Sequence, residues 1–279
     1  MTRAALRRLG IGTLAGVALA YGATIPALYV AQDGLLFPAP GSPVELPDGY
    51  DEISLATADG LQLRAAWRAP RAGRPVAVFF HGNGDSLNGA ARATRALAGA
   101  GYGVMLAEYR GYGGNPGQPG EAGLYADGRA ALAWLAGKGV AANRVVLIGN
   151  SMGSGVATQL ARETPVAALV LVSPYTSLPD LAAQKLPLIP VRWLVRHRFD
   201  NAAKLPHIAA PVLIQHGTAD TMIAPSHAQA LAAARPDVRL ELLAGLNHDL
   251  AWAPAAQEAQ RVWLETVLQP SQRQTPAGI

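Results

Sequence analysis

The chain has 279 residues, room for one large α/β domain with an extension. Half of them are hydrophobic and only 15% are charged, which excludes wholesale disorder. Its net charge is +4, but Arg3, Arg7 and Arg8 all lie in the first eight residues; from Gly34 onward 20 basic side chains stand against 18 acidic ones, so no basic stripe points to nucleic acid. Cysteine is absent, which excludes disulfides, thiolate nucleophiles and cysteine-bound zinc; the six histidines show no metal-ligand spacing, so neither a metal nor a cofactor is expected.

Leu9 to Ala31 runs 23 residues without a charge. As a helix it would span about 34 Å, enough to cross a bilayer. The arginines before it predict a cytoplasmic N-terminus, with everything after Asp33 on the other side. Residues 1–33 are therefore read as a single-pass membrane anchor. A cleaved signal peptide stays open, because Ala18-Leu19-Ala20 offers small residues after a short apolar stretch, and secretion would follow.

Residues 34–50, rich in Pro and Gly, read as a connector, and 51–269 as the folded domain. Glu52 to Ala56 and Leu61 to Ala69 predict an antiparallel hairpin turned at Ala58-Asp59-Gly60. From Pro75 onward strands alternate with helices. Strands are expected at Val76–Phe80, Val104–Tyr109, Arg144–Ile148, Val166–Val172, Pro211–Gln215 and Val238–Leu243; helices at Ser86–Ala100, Ala122–Gly137, Ser154–Arg162, Pro225–Ala234 and Pro254–Leu268. Such β-α repeats with continuous Val/Ile/Leu strands predict a mostly parallel, twisted sheet with helices on both faces. Ligands in such sheets bind at the carboxyl ends of the strands. The alternation stops over 174–210, a proline-rich insertion with an amphipathic, helical Trp193–Phe199 stretch, placed to hang over that edge as a small lid. Residues 270–279 read as a flexible tail.

Gly149-Asn150-Ser151-Met152-Gly153 sits between a strand and a helix. That Gly-x-Ser-x-Gly pattern makes a sharp turn lifting one hydroxyl above the sheet, with glycines where the backbone must pass closely. Ser151 is the candidate nucleophile. A serine needs a base to take its proton and a third group to orient the base. His216-Gly-Thr-Ala-Asp220 follows the Pro211 strand and Leu246-Asn-His248-Asp249 the Val238 strand, giving Asp220 as acid and His248 as base; Asp249 is a competing acid. His81-Gly82-Asn83-Gly84 follows the Val76 strand, and the backbone N–H groups of Asn83 and Met152 are the candidate oxyanion donors. His81 is expected to shape that loop, His216 to be buried in the turn before the acid, and His197, His207 and His227 to serve at the surface or as caps.

His81-Gly-Asn-Gly, Tyr109-Arg-Gly-Tyr-Gly113, Gly149-Asn-Ser-Met-Gly153, His216-Gly-Thr-Ala-Asp220 and the His248 loop together resemble the α/β-hydrolase fold serine hydrolases. The likeness covers roughly 52–268 and is greatest to α/β-hydrolase domain proteins with one N-terminal membrane segment, some eukaryotic members of which remove fatty acyl groups from proteins. It implies the α/β-hydrolase fold, Ser151, Asp220 and His248 as catalytic triad, and Asn83 with Met152 as oxyanion hole. Glu108 stands where Asp is commoner. The expected activity is hydrolysis of a carboxylic ester or thioester, of a small molecule or an acylated substrate, through an acyl-enzyme. A serine peptidase or amidase on the same fold, or a non-catalytic membrane-tethered binding protein, are the alternatives; substrate and oligomeric state are not legible.

Overall fold

A computed structural model describes residues 2–39, 41–43 and 45–268; the tail expected over 270–279 lies outside the described residues. The chain opens with helix α1 (Arg3–Leu36), followed by β1 (Asp51–Ala56), β2 (Gln62–Arg68), β3 (Val76–Phe80), α2 (Leu87–Ala93), α3 (Arg95–Gly99), β4 (Gly103–Ala107), α4 (Glu121–Gly137), β5 (Val145–Asn150), α5 (Gly153–Glu163) and β6 (Ala168–Val172). Three short helices come next, α6 (Leu178–Lys185), α7 (Val191–Leu194) and α8 (Asn201–Lys204), and then β7 (Val212–Gly217), α9 (Ser226–Ala234), β8 (Arg239–Leu243) and α10 (Pro254–Leu268).

The eight strands form one sheet in the order β1-β2-β4-β3-β5-β6-β7-β8. β1 and β2 run antiparallel, β2 also lies antiparallel to β4, and every other pairing is parallel. β3, β4, β5, β6 and β7 are buried along their whole length, as Val/Ile/Leu-rich strands covered on both faces must be. Apolar layers lie on both sides of the sheet, one holding Phe80, Leu124, Val156 and Leu171, the other Phe79, Leu97, Ile148 and Leu264. The chain leaves β3 toward β4 on one side and returns to place β5 on the other. This reversal opens a crevice at the carboxyl ends of β3 and β5, where the His81 and Ser151 loops lie.

Three elements differ from the sequence reading. The helix expected over Ser86–Ala100 is broken at Thr94, whose hydroxyl bonds back to the Ala90 carbonyl at 2.9 Å while Gln257 of α10 takes up the Arg92 carbonyl and the Ala96 N–H. The helix expected from Trp193 to Phe199 stops at Leu194; Gln32 of α1 claims the Leu194 carbonyl and the Arg196 N–H, and Phe199 has φ +39°. α1 extends through Leu36 into the stretch read as connector, leaving one helix among the described residues long and apolar enough to cross a membrane.

Glycine placement carries the turn after β5. A Cβ on Gly153 would be driven into the Phe80 carbonyl, and one on Gly149 would lie 2.5 Å from the Gly153 carbonyl, so β3, β5 and α5 approach as they do only without those side chains. Gly153→Ala is expected to cost about 3 kcal/mol of unfolding free energy through overpacking. Gly137→Ala, at the open end of α4 with nothing within 4 Å, should lie within about 1 kcal/mol of wild type on the stabilising side. Denaturant melts of both variants check the contrast; equal stability of the two would contradict it.

Candidate active site

Ser151 occupies the turn between β5 and α5 with φ +51°, a left-handed conformation that a non-glycine residue adopts at a cost of about 1–3 kcal/mol. The turn is held by the Ser151 N–H on the Val172 carbonyl (2.9 Å) and by the Ser154 N–H and hydroxyl on the Ser151 carbonyl (3.0 and 2.6 Å). Held this way, the Ser151 side chain stands above the sheet edge.

Two loops deliver the partners. His248 begins a 3-10 turn (His248–Trp252) after β8, and its Nε2 lies 3.1 Å from Ser151 Oγ. Its Nδ1 lies 2.8 Å from Asp220 Oδ2. Asp220 Oδ1 accepts the N–H groups of Met222 and Ile223, both at 2.9 Å, and His216 Nε2, hydrogen-bonded to the Ile223 carbonyl at 2.9 Å, also approaches Oδ2 at 3.3 Å. Burial pushes the Asp220 carboxyl upward, but the His216 and His248 donors and the backbone N–H more than offset it, holding the group well below the usual carboxylate range. The structure thus brings Ser151, His248 and Asp220 into one hydrogen-bonded line. Asp249 is exposed, with its N–H turned to Asn247, and takes no part in that line.

The His81–Gly84 loop lies against the same serine. A Cβ on Gly82 would stand 3.3 Å from Ser151 Cβ, so the loop backbone passes as near as glycine permits. The N–H groups of Asn83 and Met152 are both without a hydrogen-bond partner among the described residues. Three braces fix this loop. His81, fully buried, spans the Gly82 carbonyl (Nδ1, 2.8 Å) and Glu108 Oε1 (Nε2, 2.7 Å). Tyr109 donates its hydroxyl to the His81 carbonyl at 3.0 Å, and Tyr112 donates its hydroxyl to Asn83 Oδ1 at 2.6 Å. Arg110 locks the loop that carries both tyrosines, bonding Asp127 through Nε and Asp59 through both terminal nitrogens. From the sequence, this Tyr-Arg-Gly-Tyr-Gly stretch is visible as a motif but not as a brace, because its partners are scattered from residue 59 to 127.

Burial opposes a charge on His81, but the Glu108 carboxylate and the Gly82 carbonyl outweigh it, and the ring titrates above the ordinary histidine value. A raised pKa in the folded state gives stability that is complete below about pH 6.5 and fades as pH rises through the raised value. Glu108→Gln removes the coupling. The stability gap between wild type and this variant is therefore expected to narrow with rising pH, as pH-dependent urea melts would show; a gap constant from about pH 6 to 9 would contradict it.

The other histidines fall as follows. His216 is buried in the turn before the acid, and its contact to Asp220 makes it a support of that carboxylate, which the sequence does not reveal. His197 caps the start of α4, accepting the Glu121 N–H at 3.1 Å, and its other nitrogen meets Asp33 of α1 at 3.0 Å. His207 is at the surface. His227, expected at the surface or as a cap, is instead buried, its Nδ1 against Thr176 at the start of the 174–210 segment.

A family model described as serine aminopeptidase, S33, matches residues 72–203. The chain is similar to an uncharacterized protein of Mycobacterium tuberculosis, 36% identical over 243 residues that cover 84% of this chain and 86% of the relative. It is also similar to the alpha/beta hydrolase domain-containing protein WAV2 of Arabidopsis thaliana, 30% identical over 79% of this chain and 78% of the relative. The lysophosphatidylserine lipase ABHD12 of Danio rerio is 31% identical over 169 residues, 53% of this chain and 44% of that one. Among solved structures, a membrane phospholipase A described as a bacterial virulence factor superposes with a TM-score of 0.65 at 18% identity, over 97% of this chain and all of that one. The Pyrococcus furiosus esterase Pf2001 gives 0.63 at 20%, over 82% and 96%. The two structures share the fold.

Proposed function

The chain belongs to the α/β-hydrolase family, with esterase- and lipase-like relatives, and on that premise we propose that it is a serine hydrolase of carboxylic esters or thioesters. The observation that carries the reading is the unbroken line Ser151 Oγ, His248 Nε2, His248 Nδ1, Asp220 Oδ2, with spacings of 3.1 and 2.8 Å.

His248, oriented by Asp220, takes the Ser151 proton as the Oγ attacks the ester carbonyl. The oxyanion accepts the N–H groups of Asn83 and Met152. His248 then returns the proton to the leaving alcohol or thiol as the acyl-Ser151 ester forms. Water, deprotonated by the same nitrogen, attacks that ester and frees the acid and Ser151. The 174–210 segment serves as a lid over this site.

The test is reaction of the full chain with a fluorophosphonate, with the adduct mapped by mass, beside turnover of ester, thioester and peptide-amide panels. Adduct on Ser151 with ester or thioester turnover is expected. Faster cleavage of amides would move the reading to a peptidase, as the description of the matching family model suggests, and neither adduct nor turnover would leave a binding protein.

We assign the apolar α1 as a single-pass anchor with a cytoplasmic N-terminus, on the strength of Arg3 and Arg7 ahead of the apolar run; a cleaved signal is the competing outcome. Because the chain has no cysteine, a Val262→Cys variant carries a unique thiol at an exposed site. It should react with a membrane-impermeant maleimide in intact cells, and protection there would reverse the orientation.

A further inference from the structure

α1 does more than precede the domain. Its residues Tyr21, Ile25, Leu28, Gln32 and Leu36 recur at helical spacing, and that stripe turns toward the lid: the Tyr21 hydroxyl donates to the Leu188 carbonyl at 2.8 Å, and Gln32 is buried between the Leu194 carbonyl and the Arg196 N–H. Asp33 adds an ion pair to Arg196 at 2.8 Å. Between helix and lid runs an apolar groove of about 160 Å3, walled by Leu28, Leu35 and Leu36 on one side and Leu186, Val191 and Leu194 on the other. One wall of the groove touches the His81–Gly84 loop. Leu36, which lines it, accepts the Asn83 side-chain N–H at 2.7 Å, and Gly82 of the same loop packs on Ser151.

Helix length fixes where the groove sits. From Leu9, the first residue of the uncharged run, to Tyr21 the helix rises about 18 Å, well short of the roughly 30 Å of a bilayer's hydrocarbon core. For the run to span, the helix must stay in lipid to about Leu28, which puts Leu188 about 10 Å below the surface of the leaflet. The lid tip is built for that depth: Leu188 is 84% exposed, Trp193 89% and Leu186 40%. Arg196 is stacked over Tyr29 of α1, above that depth, where a basic group meets lipid headgroups.

We propose that the lid tip inserts into the leaflet beside α1 and that the α1–lid groove takes the acyl chain of a lipid ester directly from the bilayer, delivering its carbonyl to Ser151. The proposal rests on the serine-hydrolase and anchor readings and supplies the substrate class. It accounts for three otherwise idle features, the exposed apolar tip, the groove and the helix–lid hydrogen bonds, with one occupant.

The experiment uses the full chain in vesicles of phosphatidylglycerol and phosphatidylcholine. For wild type and for Leu28→Trp and Leu194→Trp, each of which fills the groove, the readout is the ratio of kcat/KM for p-nitrophenyl palmitate dispersed in the vesicles to that for p-nitrophenyl acetate in water. The ratio is expected to fall about tenfold or more, the effect of denying roughly two methylenes their burial. In parallel, phospholipids brominated along the acyl chain should quench tryptophan fluorescence in wild type, and distinctly less in Trp193→Phe. An unchanged ratio in both variants, or quenching indifferent to Trp193, overturns the proposal. Absence of acetate turnover and of fluorophosphonate adduct in wild type would instead overturn the hydrolase reading beneath it.

Discussion

Ser151→Ala is expected to lower kcat/KM on every substrate the wild type hydrolyses by at least about four orders of magnitude while leaving unfolding free energy within about 1 kcal/mol of that of wild type. The two halves of the expectation come from one feature. Among the described residues the Ser151 hydroxyl bonds His248 alone, whereas the backbone of the same residue carries the turn, its N–H on Val172 and its carbonyl under Ser154. Removing the oxygen therefore removes the nucleophile and leaves the turn intact. The left-handed φ of +51° costs alanine about as much as serine, so no relief of strain offsets the loss. Steady-state kinetics with a denaturant melt checks both. Residual turnover within about a hundredfold of wild type would place the nucleophile elsewhere.

Asp220→Asn should cost about 10⁴ in kcat, with the fold retained. The carboxylate has donors on both oxygens: Met222 and Ile223 N–H on Oδ1, His248 on Oδ2, and His216 close by. The amide that replaces it keeps Oδ1 as acceptor for the two backbone groups and turns an N–H toward His248 Nδ1. The ring must then accept there and carry its proton on Nε2, facing Ser151, where it cannot take the serine proton. In the wild type the depressed carboxyl stays ionised at any pH above the ordinary carboxylate range. Its contribution to stability is present above about pH 3.9 and disappears as pH falls through the lowered value. Any loss of rate between about pH 5 and 7 therefore belongs to a group other than Asp220. Stopped-flow acylation of wild type and variant would show the loss; a variant within about tenfold of wild type would make another carboxylate the orienting acid.

Most of the sheet is legible in the sequence because buried parallel strands are continuous apolar runs bounded by Gly, Pro and polar turns, and Val76–Phe80 and Pro254–Leu268 are found with both ends as expected. The candidate site is legible for a related reason. Each of its parts is a short cluster at a strand end, and chain order alone lines up Ser151, Asp220 and His248. What escapes are side chains whose meaning depends on a distant partner. Glu108 reads as a mild departure from the commoner Asp until His81 is found across from it. Thr94 reads as an ordinary helix residue until Gln257, arriving from α10, takes up the carbonyl and N–H on either side of it. Gln32 and Asp33 read as the polar end of an apolar run, and no periodicity says that residues 194–197 will meet them.

Those last two residues bear on what it means to separate the domain from its helix. A chain cut just ahead of Gly34 differs from the intact one by more than the missing helix: Arg196 and His197 lose the carboxylate they share, and the Leu194 carbonyl and Arg196 N–H lose the amide that stops α7. Cutting and unlatching are then a single event, so under the anchored-hydrolase proposal a released domain is a different catalyst from the intact chain.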